Sequence, residues 1–144
     1  MKKIFGTFFA FLILGGAIEL SVLALTKATG WNGVENGRPL IAAVHVHLIA
    51  LGGLFFLVQV ALEKLFRLTE SKLYKPFYGL FLAGMAVTVS AMYYKGVCQL
   101  YGASVIRGIT EGGAAIGHSL LLASLILFAL CLYFRAVKEP KTQD

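Results

Sequence analysis

Three histidines, His45, His47 and His118, one carboxylate, Glu19, and one lysine, Lys95, stand inside otherwise apolar stretches of this chain. Imidazoles and carboxylates ligate metals and move protons, and an ionisable group in a greasy run is costly enough to mark a functional interior. In AVHVHLIALGG, Ala43 to Gly53, the two histidines are two residues apart. On a helix that spacing is about 200° of rotation, so His45 and His47 cannot grip one ion and HVH is a two-sided device. The face of His45 carries Gly52, Phe56, Gln59 and Glu63, a small and polar stripe suited to a bundle interior. The face of His47 carries Ala43, Ala50, Leu51, Leu54, Val58 and Ala61, where a neighbouring span, a second subunit or a second cofactor can approach. A bond from His47 to a backbone carbonyl is the remaining alternative.

The elements that must position these groups are membrane helices. Of the 144 residues 58% are hydrophobic and 14% charged, and the mean hydropathy is +0.80, too apolar for a soluble domain. Four apolar segments, approximately 4–26, 40–65, 77–100 and 112–134, each approach or exceed the roughly 20 residues a helix needs to cross the hydrocarbon. Lipid gives backbone groups no water to bond, and the runs lack barrel alternation, so the spacing predicts an all-α, single-domain, up-down four-helix membrane bundle. Lys2 and Lys3 followed by an apolar run also resemble a signal peptide, but the run exceeds the roughly 7 to 15 residues of a signal core, which favours an uncleaved helix. Lys2, Lys3, Lys64, Arg67, Lys72, Lys75, Arg135, Lys138 and Lys141 fall at one end, against Lys27, Arg38, Lys95 and Arg107 at the other. The positive-inside rule then puts both termini in the cytoplasm. The net charge of +6 reads as topology and contact with anionic headgroups, not as a nucleic-acid footprint. Trp31, Tyr74, Tyr101 and Tyr133 are expected in aromatic belts, Glu63 at an interface, and the tail from Lys138 to Asp144 frayed. Cys98 and Cys131 lie near opposite ends of their spans and cannot pair with each other within one subunit.

Counted from the ends of the spans, Glu19, His45, His47, Lys95 and His118 share one layer beneath the external surface. The wheel puts Glu19 with Leu12, Gly15 and Thr26; Lys95 with Met85, Thr88, Met92 and Gln99; and His118 with Glu111, Ala114 and Ala129, each stripe expected to face inward. Such a layer suits b-type haem, which needs one or two axial imidazoles from facing helices, apolar walls, and cations for its propionates. His45 and His118 are the expected ligands, Met92 an alternative one, His47 a contact to a second haem or a partner helix, and Arg38, Lys95 and Arg107 the cations. Glu19, His45, His47 and His118 also match in type the sets that hold zinc, copper or non-haem iron. A purely structural layer, and a transport role needing a polar path, are the cofactor-free alternatives; below Glu19 the interior offers mainly Gln59, Thr88 and Ser124 for a path. No HExxH, CxxC, Ser-His-Asp or phosphate-loop pattern occurs, so the enzyme question stays open.

AVHVHLIALGGLFFLVQVALEKLF, the lysine of MYYKGV and AAIGHSLLL together resemble a family of small bacterial four-span proteins, domain-of-unknown-function family 2871. Its pattern is a HxHLxxLG helix, a later basic residue and a final GxGH-like helix; AAIGH here lacks the first glycine. The resemblance implies a multi-pass protein of the bacterial inner membrane and brings no activity. HVHLIALGG is more distantly similar to a helix of short proteins related to the haem-copper oxidase catalytic subunit, in which histidines two apart serve two haems. That likeness implies b-type haem, while this chain has too few spans and histidines for oxygen reduction. Together these readings point to a homo-oligomeric haem protein that exchanges electrons with a redox partner, or that binds or senses a diatomic gas.

Overall fold

The computed structural model describes residues 1–138; the expected fraying of the tail beyond them lies outside the described residues. Helix α1 is Lys2–Thr29, a short α2 is Gly33–Asn36, α3 is Ile41–Phe66, α4 is Tyr74–Leu100 and α5 is Gly108–Val137, with no strand among the described residues. The four long helices are each long and apolar enough to cross a membrane, and the chain is a multi-pass membrane protein. Large apolar side chains stand exposed around the outside, Ile13 at 72% and Leu122 at 62% among them, because lipid and not water is their solvent.

α1, α4 and α5 run past their sequence-derived bounds at one or both ends and α3 is displaced by one residue, for local reasons. α1 and α4 both end on a glycine in the left-handed region, Gly30 and Gly102. There the Trp31 N–H bonds back to Thr26 and the Ala103 N–H to Cys98, which satisfies carbonyls the helix leaves open. α4 starts at Tyr74, earlier than Pro76 suggested, because a proline in the first turn gives up no helical hydrogen bond. In the loop between α1 and α3, Asn32 caps α2 by accepting from the Val34 N–H at 3.1 Å.

Within α3, His47–Leu54 is π-helical, with wider i→i+5 turns. The face reading of α3 holds for Gly52, Phe56, Gln59 and Glu63, all buried. His45, two residues ahead of the wide segment, lags off that stripe because each π residue advances less than 100°, and it is only half-buried.

Helices associate in lipid by close packing, since the tails are as apolar as leucine. α1 meets α3 where Gly52 lies under the ring of Phe11 and Gly15 under Ile49. α4 meets the start of α3 at Gly96, where a Cβ would sit 2.6 Å from that of Ile41. α4 meets α5 at Gly84 and Gly117, which oppose Leu121 and Thr88. Towards the end that carries most of the lysines, here the basic end, the core is aromatic. Phe55 stacks on Phe81 at 5.1 Å and meets Phe128 edge-on at 5.2 Å, and Phe11 stacks on Phe56 at 5.8 Å.

Candidate functional site

At the end opposite the lysines, the far end, α1 and α3 bring two of the expected groups together. The Nδ1 of His45 lies 2.7 Å from a Glu19 carboxylate oxygen, with the side chains 23% and 43% exposed. Those two atoms are themselves shut off from solvent and have no other polar partner among the described residues. Gly15 makes the approach possible: a Cβ there would stand 3.6 Å from the carbonyl oxygen of His45 and closer still to Ile49.

The other two histidines are fastened to their own helices. The Nδ1 of His47 lies 2.9 Å from the Ala43 carbonyl oxygen, the carbonyl alternative foreseen for it, and the Nδ1 of His118 lies 2.7 Å from that of Ala114. A carbonyl oxygen only accepts, so each Nδ1 carries the proton and donates it. The neutral ring then keeps its lone pair on Nε2. Among the described residues no hydrogen bond engages the Nε2 of any of the three rings.

Three expectations are corrected. His118 does not look into a closed interior. It is exposed, as are Glu111 and Ala129 of its stripe, while Thr110, Gly117, Leu121, Ser124 and Cys131 take the inward face of α5. The small Gly117 is what lets α5 touch α4, and that contact turns His118 about 100° away from α4. His45 and His118 therefore share no enclosed chamber. Nor do Glu19, His45, His47 and His118 assemble into one metal set: no three His, Cys, Asp or Glu side chains converge among the described residues.

Of the expected cations, Arg38 and Lys95 line one cavity of about 500 Å³ at the far end with Leu40, Gln99, Ala103 and Val105. The Leu40 N–H donates to Gln99 Oε1 at 2.9 Å, closing its rim. Arg107 is exposed just before Gly108 and does not line that cavity. Met92 is half-buried against the main apolar core, whereas Lys95 and Gln99 of its stripe are exposed. Cys98 and Cys131 are both free thiols, as their separation required.

Sequence reasoning missed a polar network at the basic end. Glu63 is buried, and its two carboxylate oxygens accept from the N–H of Thr69 at 2.9 Å and from its hydroxyl at 2.5 Å, so it clamps the α3–α4 loop instead of sitting at an interface. Tyr74, expected in an aromatic belt, is buried and donates to Gln59 Oε1 at 3.1 Å. The Cys131 thiol points at the Leu68 carbonyl, and Arg135 bonds the Phe66 carbonyl and Glu70. A buried polar position on the stripe of α3, Gln59 and then Glu63, was the available signal.

The whole-chain pattern places the protein among its relatives. A model of the family described as protein of unknown function (DUF2871) matches residues 1–135. The chain belongs to that family. No curated protein and no solved structure matches it. Membership in DUF2871 thus covers all four spans and all three histidines and assigns no activity to any of them.

Proposed function

We propose that this DUF2871 protein binds b-type haem in the far half of the membrane through the Nε2 atoms of His47 and His118, and that it transfers electrons. The observation that carries this reading is the placement of both Nδ1 atoms against backbone carbonyls. Both rings have Nδ1–H committed to a carbonyl one turn back, leaving on Nε2 the lone pair that iron requires.

The pairing of His47 with His118, instead of His45 with His118, follows from helical offsets. Val46 and His47 keep ordinary α dihedrals, so His47 points about 200° from His45 and away from α1. On α5 the flank holding Ile109 and Ile116 lines a cavity with Val87 and Tyr94 of α4. His118 takes the opposite flank, the side on which Gly96 of α4 meets Ile41 of α3. The Gly96–Ile41 and Gly117–Thr88 contacts set His47 and His118 within about one helical turn of each other in depth. Phe55 and Phe128 form an apolar floor between α3 and α5 on the basic side. Arg38 and Lys95 supply positive charge above, where propionates would lie.

Bound haem would supply a one-electron couple, and two imidazole ligands favour electron transfer over gas binding. The excess of lysine and arginine at the end bearing the termini supports cytoplasmic termini, and the bacterial character of the resembling family supports the inner membrane. A redox partner then docks at the far end, beside Arg38 and Lys95.

Titrating the detergent-purified apoprotein with haemin tests this. Saturable, equimolar appearance of a Soret band, with a reduced form that does not react with carbon monoxide, is expected. A carbon monoxide shift in the reduced form would instead place the protein among gas binders, and a Soret band unchanged from that of haemin in detergent alone would end the haem reading.

A further inference from the structure

At the basic end, opposite the end that carries the three histidines, a second feature has no place in the redox reading. The first turn of α1 and the first turns of α4 enclose a cavity of about 580 Å³ lined by Lys2, Lys3, Lys75, Thr69, Tyr74 and Tyr78, among others. Three ammonium groups around one cavity repel each other, and among the described residues none has a carboxylate partner. Among the described residues no Asp or Glu lines the cavity. Glu63, which Thr69 binds through both N–H and hydroxyl, is 8% exposed and is not among the lining residues.

The walls are held in place by other contacts. The Tyr78 hydroxyl and Thr7 Oγ1 lie 2.6 Å apart, tying α4 to α1 just inside the cavity. Tyr74 is pinned through Gln59, and Ile4, another lining residue, is 1% exposed. The cavity also sits at the end of the helices, level with the headgroups, because α1 and α4 both begin there and run into the hydrocarbon. A cavity at headgroup depth, rimmed by three exposed lysines that have no carboxylate partner among the described residues, with hydroxyls and an apolar side continuous with lipid-facing helix, complements a phosphodiester headgroup whose acyl chains lie along α1 and α4.

We infer that the cavity between α1 and α4 is a binding site for an anionic phospholipid headgroup, held by Lys2, Lys3 and Lys75. Basic residues elsewhere on the same end, Lys64, Arg67 and Lys72, are exposed as Lys2, Lys3 and Lys75 are, but do not line it. They provide a control for general surface charge.

The test is native mass spectrometry of the delipidated full chain titrated with phosphatidylglycerol or phosphatidylcholine. Wild-type protein should retain one phosphatidylglycerol in preference to phosphatidylcholine. Lys2→Gln/Lys3→Gln/Lys75→Gln should weaken its retention by about tenfold or more, Lys64→Gln/Arg67→Gln/Lys72→Gln by less than about threefold, and Lys2→Arg/Lys3→Arg/Lys75→Arg should retain it. Equal loss in the two glutamine triples, or equal retention of phosphatidylcholine, would overturn the site. So would displacement of the lipid by millimolar inorganic phosphate, which would make the ligand a free anion. Helical circular dichroism of each variant confirms that the bundle is intact before binding is compared.

Discussion

Gly117 lies against Thr88 so closely that a Cβ on Gly117 would stand 2.8 Å from the Thr88 backbone nitrogen and run into its hydroxyl. This contact decides which way α5 faces, and therefore where His118 points. Gly117→Val should force α4 and α5 apart and cost about 1 to 3 kcal/mol, read as a lower melting temperature in detergent. Gly16→Ala is the control: a Cβ at Gly16 meets nothing within 4 Å, and the change should be neutral or stabilise by about 0.5 to 1 kcal/mol. Equal melting temperatures for the two variants would refute the packing account.

His45 and Glu19 shield each other's polar atoms. Glu19→Ala leaves the His45 Nδ1 without its partner and should cost about 1 kcal/mol or more, as should His45→Ala. The double variant should lose less than the sum, with a coupling of about 0.5 kcal/mol or more by thermal unfolding. Strict additivity would mean that the pair contributes nothing as a pair.

At the basic end Tyr74→Phe removes the one hydrogen bond that Gln59 accepts, while Gln59 Nε2 already lacks a partner. A loss of about 1 to 3 kcal/mol is expected. Adding Gln59→Leu should restore most of it, because two apolar groups of similar shape leave nothing unsatisfied. A double variant less stable than Tyr74→Phe alone would contradict this.

The spans were legible because runs above 20 apolar residues admit few other structures, and the inward stripe of α3 was legible because Gln59 and Glu63 contrast with their neighbours. The orientation of α5 was not. Apolar residues surround it on every side, so hydrophobicity distinguishes no face, and interior and lipid make the same demand. One glycine decided the matter: Gly117 and His118 are adjacent, and the contact surface took the smaller. The π segment was equally hidden, since nothing in HLIALGG departs from an ordinary membrane helix by composition. Tyr74 was misplaced because its helix begins before Pro76 and carries the ring inside.

His47 points about 200° from His45 and away from α1, and the central claim turns on that difference. Haemin titration of three single variants, read by the Soret band, tests it most directly. The account predicts that His47→Ala and His118→Ala each lose the wild-type low-spin spectrum while His45→Ala retains it. An unchanged spectrum in His118→Ala, or its loss in His45→Ala alone, would contradict the account.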